Sequence, residues 1–557
     1  MRSLKKEKHT IKILPDGRWF AAERGERLME ALAGNDILLQ SRCGGKGLCG
    51  KCLVRITESS ASGASSPDDS EARILGKEEL QAGYRLACRV QILHDLSVEI
   101  PPASLLSPDT VPKAPLALPE TVSLARPSTT GSAGRYGLAV DLGTTTIAVY
   151  LCDLASGGIT GSLSIGNPQA MFGDDVLSRI GFAAQSKKNL LRLQKMAVGA
   201  MDRCAAAVCR STHVDPGHIG SAVVVGNSIM IHIFAGVDPR SIGAYPYRPV
   251  FLEDRTFKAG SVGLAFNPSA DIFTPPLISG FLGSDILAAA LAVDLDHAAC
   301  GTLLADIGTN GEVILKGREG LLAASCATGP AFEAATIRHG MQAVSGAIAA
   351  VSIDRVGDRV ICSVIPQSSG ADCLPSGICG SGVVSAVAEL YRTGLLSGNG
   401  LLVNPTGSSL IRRDKAGLLE FELAGASQSQ TQRPITLTQT DIRAVQLAKG
   451  ALFTGMKMLC AEAGITSLER LLVAGAFGNF LDIKAALMIG MFPDLPEDCI
   501  AMVGNAAATG AALLLFKPEL RDQARNLARS VKVLDLAARP DFQDLFLRSL
   551  AFPAWTS

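Results

Sequence analysis

The chain has 557 residues, of which 47% are apolar and 19% are charged, so it can form three or four domains with large buried cores. Its 52 acidic and 52 basic side chains cancel, which argues against nucleic-acid or membrane-surface partners. The first residues lack the apolar core of a signal peptide, and no run of about 18 apolar residues occurs. We therefore expect a cytoplasmic protein that does not span a membrane.

The first 100 residues have the pattern of a small β-rich domain with one helix. The stretch TIKILPDGRWFAAE predicts a hairpin that turns at Pro15, Asp16 and Gly17, and ERLMEALAGNDILL predicts a helix that ends near Gly34. Residues 59–70 are rich in Ser and Gly and predict a flexible loop. Further strands are predicted in CLVRIT, YRLACRVQI and LSVEI.

A loop rich in cysteine and glycine, SRCGGKGLCGKCLVRI, follows the predicted helix. Five residues separate Cys43 from Cys49, two separate Cys49 from Cys52, and 35 separate Cys52 from Cys88. Structural zinc commonly uses two CxxC pairs, and a dithiol oxidoreductase would need only Cys49 and Cys52. Three thiolates from one loop and a fourth from a distant strand suit a 2Fe–2S cluster. We predict this cluster, with another metal or a purely structural role as the alternatives.

The cysteine spacing resembles that of adrenodoxin-type and related bacterial ferredoxins, which have the β-grasp fold. The plant-type spacing has four residues between the first two cysteines, whereas this chain has five. Glycines let such a loop wrap a cluster and direct N–H groups at its sulfur atoms. The ten other cysteines are scattered along the chain, and we predict that they are buried thiols rather than ligands.

Residues 101–135 are rich in Pro, Ser, Thr and Ala and predict a linker. Beyond it, strand and helix patterns alternate almost to the end of the chain, which is typical of α/β architecture. The segments YGLAVDLGTTTIAVYL (136–151) and GTLLADIGTNGEVILK (301–316) both predict a strand, an Asp-x-Gly-Thr turn and a second strand. This internal repeat predicts a duplicated α/β domain with a cleft between its halves.

The two Asp-Gly-Thr turns have the chemistry of a nucleotide site. Gly143 and Gly308 allow tight turns whose N–H groups face phosphate oxygens, and Asp141 and Asp306 can hold Mg²⁺ through its water ligands. The side chains that can add hydrogen bonds to phosphates are those of Thr144, Thr145, Thr146, Thr309 and Asn310. One such turn is often an ordinary β-hairpin, but two copies favour a nucleotide site.

The pair of turns resembles the phosphate motifs of the superfamily of acetate kinase, sugar kinases, heat-shock chaperones and actin, which has duplicated ribonuclease H-like domains. GICGSGVVSAVAELY resembles its connecting helix, with Gly380 and Ser381 at the start. LLVAGAFGNFLD resembles its adenosine motif, and GPAFEAATIRHGM places Glu333 where related proteins contact the ribose or base. The resemblance implies that ATP also contacts Gly475, Ala476 and Gly478. It does not say how the ATP is used.

The chain as a whole resembles the reductive activators of corrinoid enzymes. The stretches that carry this resemblance include VVVGNSIMIHIFAGVDPRSIGAYPYRP, PPLISGFLGSDILAAAL, ADIGTNGEV, CATGPAFEAATIRHGM and VGNAAATGAALLL. It implies four parts: a 2Fe–2S ferredoxin-like domain (1–100), the linker (101–135), a middle domain that is the first ATPase-like half (136–300), and a C-terminal ATPase-like domain (301–557).

By this resemblance, the protein reduces an inactive Co(II) corrinoid protein of a methyltransferase system to Co(I), with one electron from the cluster and turnover of ATP. A low-potential electron donor would supply that electron, and a homodimer is left open. No hydrolytic base is identified: Glu312 is a weak candidate, and a solvated strand residue is its preferred interpretation. The alternatives are a small-molecule kinase with a redox module, an activator of a radical dehydratase, an ATP-driven donor to another low-potential enzyme, and a binding module.

Overall fold

The computed structural model describes residues 7–35, 37–39, 41, 45, 47, 49–101, 104–105, 116, 134–354, 358–367, 373–405, 407–414, 417–475 and 481–553. The chain divides into two compact units, one of Met1–Asp109 with Gly166–Ala197 and one of Thr110–Ile165 with Val198–Ser557. The predicted linker lies almost entirely outside the described residues. None of the helices in these ranges combines the length and apolarity of a membrane span.

A mixed five-stranded sheet forms the centre of the first unit. Its strands are β1 (Lys8–Leu14), β2 (Trp19–Glu23), β3 (Leu53–Ile56), β4 (Tyr84–Leu86) and β5 (Leu96–Glu99), in the spatial order β2-β1-β5-β3-β4. β1 runs antiparallel to β2 and parallel to β5, so the first and last strands of the domain are neighbours. Alternate residues of β1 are buried, as expected for a sheet with one covered face. The sheet confirms the predicted ferredoxin-like β-grasp fold.

Two helices accompany this sheet, whereas one was predicted. The predicted hairpin joins β1 to β2, and the predicted helix is α1 (Leu28–Ala33), which ends at Gly34. The second helix is α2 (Asp69–Gln81), and a 3₁₀ turn at Glu58–Gly63 occupies part of the segment predicted as a flexible loop. Only Glu71 and Leu75 of α2 are buried, so the helix lacks the periodic apolar stripe that would have revealed it.

Residues 166–197 belong to the predicted middle domain in sequence but pack with the first unit. They contain α3 (Val176–Gln185) and the beginning of α4 (Lys187–Thr212). Arg192 forms an ion pair with Glu30 at 3.5 Å and also donates to its carbonyl oxygen. The fully buried Arg179 donates to Gly173 O over 2.9 Å, which organises the turn before α3.

The second unit contains two six-stranded sheets. The first has the strands β6 (Tyr136–Leu142), β7 (Thr146–Asp153), β8 (Gly158–Gly166), β9 (Ile219–Val225), β10 (Arg255–Lys258) and β11 (Asp271–Thr274). Its spatial order is β10-β11-β9-β6-β7-β8. The helices that follow in this part are α5 (Ser228–Phe234), α6 (Ala259–Val262) and α7 (Ser284–Ala292).

The second large sheet has the order β22-β21-β12-β13-β14-β23. Its strands are β12 (Thr302–Ile307), β13 (Gly311–Gly317), β14 (Gly320–Cys326), β21 (Arg470–Ala474), β22 (Ile500–Gly504) and β23 (Lys532–Val533). Two smaller sheets contain β15 (Ala347–Asp354), β16 (Arg359–Val364), β17 (Gly377–Ile378), β18 (Ile411–Arg413), β19 (Leu419–Ala424) and β20 (Ile435–Thr438). The helices are α8 (Gly380–Arg392), α9 (Gln439–Glu462), α10 (Ile483–Met488), α11 (Ala506–Phe516), α12 (Leu520–Ser530) and α13 (Phe542–Ser549).

The two large sheets share one topology, which confirms the predicted duplication. Each begins with an antiparallel hairpin, β6 with β7 and β12 with β13. In each, two later strands then run parallel to the first: β9 and β11 beside β6, and β21 and β22 beside β12. Asp141 and Asp306 lie near the ends of the first strands, so the two Asp-Gly-Thr turns occupy equivalent places.

Helices α7 and α11 pack against each other in a core that also includes side chains of both large sheets. Ala139 of β6 and Leu304 of β12 both belong to this core, whereas Leu303 faces a second core in the C-terminal part. β12 is therefore buried on both faces. A Cβ atom on Gly510 would lie 2.0 Å from Ala288 O, so the backbones of α11 and α7 are in contact there.

Gly510→Ala is expected to destabilise the second unit because the added methyl group overlaps the carbonyl oxygen of Ala288. Overpacking of a core costs about 1–3 kcal/mol, which exceeds the gain of about 1 kcal/mol from replacing Gly by Ala in a helix. Denaturant unfolding of the full chain measures the difference. Gly181→Ala in α3 is the matched control, since its Cβ would have no neighbour within 4 Å, and it should not destabilise. Equal losses in both variants would contradict the close helix contact.

Candidate functional site

Three of the four predicted cluster cysteines lie in the described part of the first unit, and Cys43 lies outside it. Cys52 directly precedes β3, and Cys88 follows β4, its antiparallel neighbour. The N–H of Ala87 donates to Cys52 O over 2.9 Å, so Cys52 and Cys88 stand at the same end of the sheet. Both are buried, while Cys49 is partly exposed.

Glycines let the cysteine loop pass against the turn that contains Cys88. Gly45, Gly47 and Gly50 have φ angles of 80°, 73° and 69°, a conformation that favours glycine. A Cβ on Gly45 would lie 3.8 Å from Cys88 Cβ, and one on Gly47 would lie 2.7 Å from Arg89 Cδ. The loop and this turn therefore converge, and a set of thiolate donors around a glycine-rich loop fits an iron–sulfur cluster. The residues that would hold it are Cys43, Cys49, Cys52 and Cys88.

A buried ion pair holds the strand that leads to Cys88. Arg85 donates from Nε and Nη2 to the two carboxylate oxygens of the fully buried Glu71, over 3.0 and 2.8 Å. Glu71 also accepts the backbone N–H of the residue after Arg85 over 2.9 Å. Arg89 pairs with Asp68 at the start of α2, and this hydrogen bond raises the pKa of the Arg89 guanidinium. Helix α2 thus fixes the chain on both sides of Cys88.

Most of the described cysteines outside the loop are buried, as predicted. Burial raises the pKa of Cys152 and Cys326 to about 12 and that of Cys204 to about 11. These side chains are therefore protonated thiols at neutral pH. Cys300 is exposed, and Cys362, Cys373 and Cys499 are partly exposed, so the prediction of burial was wrong for these four cysteines.

The second unit contains a cleft that both Asp-Gly-Thr turns line, with about 1170 Å³ of space when its open mouth is included. Its lining includes every predicted nucleotide-binding residue that the structure describes, namely Asp141, Gly143, Thr144, Thr145, Thr146, Asp306, Gly308, Thr309, Asn310, Glu333, Gly380, Ser381 and Gly475. Ala476 and Gly478 lie outside the described residues. The structure thus brings together segments that are far apart in sequence, and their nucleotide contacts stay a prediction.

Glu333 lies at the two Asp-Gly-Thr turns. One of its carboxylate oxygens accepts hydrogen bonds from the hydroxyls of Thr145 and Thr309, over 2.6 Å in each case. The two hydroxyl oxygens are 2.8 Å apart. The predicted contact of Glu333 with a ribose or base stays a prediction, since what the structure shows is a contact with both threonines.

Two further carboxyl groups are crowded into the cleft. Burial raises the pKa of Asp285 at the start of α7 to about 7, and repulsion by Asp306 and Asp141 adds to the effect. Burial, followed by repulsion from Asp285 and Asp306, raises the pKa of Glu312 well above its usual value. The interpretation of Glu312 as a solvated strand residue was wrong, since β13 is covered on both faces and Glu312 is 7% exposed.

Asp285 is a functional candidate that the sequence analysis missed. A carboxyl that lines a cleft and has a pKa near neutrality has the properties of a general base. The only signal for it was its position after Gly283, where a run of small residues turns into a helix. That pattern is too common to indicate a catalytic group by itself.

Two asparagines that the sequence analysis also missed connect the halves of the cleft. Asn505 caps α11 and donates to Asp141 Oδ2 over 3.0 Å. Asn227 caps α5 and donates to Glu312 Oε1 over 3.4 Å. Each asparagine therefore binds a carboxyl group that belongs to the other large sheet. An asparagine before an apolar helix predicts a helix cap. It does not predict which group accepts a hydrogen bond from the side-chain amide.

Three segments of the chain match known domain families. Residues 11–93 match a 2Fe-2S iron-sulfur cluster binding domain, residues 136–298 match the RACo middle region, and residues 301–557 match the C-terminal domain of RACo, the ASKHA domain. The corrinoid activation enzyme RamQ of Eubacterium limosum is 33% identical over 427 residues, which cover 75% of this chain and 70% of that protein. The chain belongs to the RACo family.

Two further proteins are similar to this chain over most of its length. The [Co(II) methylated amine-specific corrinoid protein] reductase of Methanosarcina barkeri is 26% identical over 453 residues, which cover 76% of this chain and 77% of that protein. The solved structure of a reductive activator for corrinoid,iron-sulfur protein has 30% identity and a TM-score of 0.70, and the match covers 98% of both chains. These matches confirm the predicted combination of a ferredoxin fold with an actin-like ATPase fold.

In this RACo family protein, Glu71→Ala leaves the guanidinium of Arg85 buried without its counter-charge. The loss of one partner of a buried ion pair typically costs about 3–5 kcal/mol. We expect the visible spectrum of the iron–sulfur domain to be lost at a lower temperature than in the wild type. Glu78→Ala, on the exposed face of the same helix, is the matched control and should change little. Identical melting of the two variants would contradict the role assigned to the ion pair.

Asp285→Asn should stabilise the protein while lowering ATP turnover. Because the folded-state pKa of Asp285 lies above its usual value of 3.8, the wild type loses stability as pH rises from about 4 to about 7, and the amide avoids this loss. The gain in melting temperature is therefore larger at pH 8 than at pH 5. The exposed Asp494→Asn is the matched control. A pH-independent gain, or unchanged ATP hydrolysis, would contradict the assignment.

Proposed function

We propose that this protein is an ATP-dependent reductive activator of a corrinoid protein, which it returns from inactive Co(II) to Co(I). The 2Fe–2S cluster held by Cys43, Cys49, Cys52 and Cys88, when bound, supplies the single electron that this reduction consumes. The observation that carries the proposal is the combination, on one chain, of the cysteine loop and a cleft built from two Asp-Gly-Thr turns. Membership in the RACo family supports it.

Coupling to ATP has an energetic reason. A plant-type 2Fe–2S cluster has a potential near about −400 mV. One-electron transfer to a more reducing acceptor loses a factor of ten in equilibrium constant for each ~59 mV. An acceptor well below the potential of the cluster is therefore reduced only when a second process, such as nucleotide turnover, shifts the equilibrium.

The charge of the cleft favours ATP together with Mg²⁺. Among the described lining residues, five are carboxylic and none is Lys, Arg or His. A polyphosphate would be repelled there unless a divalent cation accompanied it. Asp141 and Asp306 would bind Mg²⁺ through its water ligands, and the turns would bind phosphates through N–H groups and hydroxyls. Asp285 would accept a proton from the attacking water.

The proposal includes partners and a location. The corrinoid protein is the substrate, and the names of the M. barkeri and E. limosum relatives support that choice. A low-potential electron donor would reduce the cluster of the first domain again after each electron transfer. We place the protein in the cytoplasm, where such donors are available, and leave a homodimer open.

The decisive experiment mixes the reconstituted, chemically reduced protein with a Co(II) corrinoid protein under anaerobic conditions. We expect the Co(I) absorption band to appear with ATP and to be weak or absent without it. Cys88→Ala should abolish the reaction together with the cluster spectrum, whereas the matched control Cys460→Ala, at a buried cysteine outside the loop, should retain both. The proposal would be refuted if Co(I) did not appear, or if it formed without any influence of ATP. ATP turnover stimulated only by a small-molecule acceptor would instead indicate a kinase.

A further inference from the structure

Glu333 joins the two Asp-Gly-Thr turns through a single carboxylate oxygen. Thr145 belongs to the first turn and Thr309 to the second, and both hydroxyls lie 2.6 Å from Glu333 Oε2. The third side of this triangle, between the two hydroxyls, is 2.8 Å. Each hydroxyl has one proton, so the carboxylate is the acceptor that satisfies both threonines at once. Such O–H···O⁻ bonds are the charge-assisted kind, and 2.6 Å is in their usual range.

Glu333 uses the same donors that the proposed function assigns to the phosphates. A carboxylate oxygen and a phosphate oxygen are both anionic acceptors, and a hydroxyl with one proton cannot donate to both. We infer that Glu333 is an anionic latch, a side chain that ties the two turns together and must leave Thr145 and Thr309 before the phosphates can bind them. This inference rests on the proposed nucleotide site, because it requires that phosphates bind at these turns.

Electrostatics favours displacement over shared binding. The cleft already contains the carboxyl groups of Asp141, Asp285, Asp306 and Glu312, so the carboxylate of Glu333 beside a triphosphate would add to the repulsion. Release of Glu333 from the turns moves one negative charge away as the phosphates arrive. Since the two turns belong to different large sheets, the latch also connects the halves of the cleft until nucleotide replaces it.

The backbone conformation beside Glu333 supports a change of position of this side chain. Ala334 has a φ of 57°, a left-handed conformation that L-residues other than glycine rarely adopt. A Cβ on Gly340 would lie 1.8 Å from Ala334 O, so the tight turn after the latch requires glycine there. Strained conformations of this kind cluster at ligand-binding and switch regions, which agrees with a segment that changes its contacts when nucleotide binds.

Glu333→Gln tests the latch through binding of nucleotide rather than through corrinoid reduction. The neutral amide competes less well for the two hydroxyls, so Mg²⁺-ATP should bind about five- to tenfold more tightly, a tenfold change corresponding to ~1.4 kcal/mol. The affinity for Mg²⁺-pyrophosphate should rise by a similar factor, because Glu333 competes only for the hydroxyl groups that would bind phosphates. Calorimetric titration of the full-length protein measures both. Glu319→Gln, at an exposed turn between β13 and β14, makes the same chemical change and should alter neither affinity.

A second variant keeps the test valid if the amide disturbs folding. Glu333→Asp retains the charge but is one methylene shorter, so it cannot reach both hydroxyls and should also tighten binding, by a smaller factor. Weaker binding of both ligands in either variant would make Glu333 a ligand of the metal or phosphates, and weaker binding of ATP alone would make it a ribose or base contact. Either result, or unchanged affinities, overturns the latch while the proposed function stands. If the wild type binds neither ligand, the proposed nucleotide site itself fails.

Discussion

Carboxyl groups that are crowded into one cleft repel each other and lose hydration. The stability of the second unit depends on the contacts and protonation that reduce this repulsion. Asp285 and Glu312 respond through raised pKa values, which let them carry protons near neutral pH. Asp141 and Glu312 also receive amide hydrogen bonds from Asn505 and Asn227. Because each of these bonds crosses between the two large sheets, the crowding is relieved by contacts that hold the halves together. A divalent cation would reverse the local balance and favour the ionised forms.

The first unit has a different constraint, which is to place Cys52 and Cys88 at the same end of a small sheet. Contacts from outside the cysteine loop hold the turn that contains Cys88. The carboxylate of Glu71 neutralises Arg85, and Asp68 pairs with Arg89, so the turn with Cys88 is held from α2 on both sides. Gly45, Gly47 and Gly50 give the loop positive φ angles, and α2 supports the turn against which the loop lies.

The chemistry of the two sites could be predicted from sequence where it depends on short motifs. The spacing of Cys49 and Cys52, and the Asp-Gly-Thr turns at Asp141 and Asp306, are local patterns whose residue types limit what they can do. Helix α2 was missed because its buried side includes a charged Glu71 in place of an apolar stripe. Asp285 and the two asparagines were missed because they reach the cleft from separate segments, and only the packing of α7, α5 and α11 brings them there. The burial of Glu312 likewise depends on the segments that cover β13, and the local sequence does not predict these segments.

The protonation of the distant cysteines has a consequence for the assembly of the iron–sulfur domain. Iron binds thiolates, and a ligand that must first lose a proton from a group with a pKa of about 12 is a poor competitor near pH 7. Cys152 and Cys326 therefore offer incoming iron no alternative set of donors. Their protonation also slows reaction with peroxide, which attacks the thiolate. The buried thiols of the ATPase halves are thus poor competitors with the cysteine loop for iron near neutral pH.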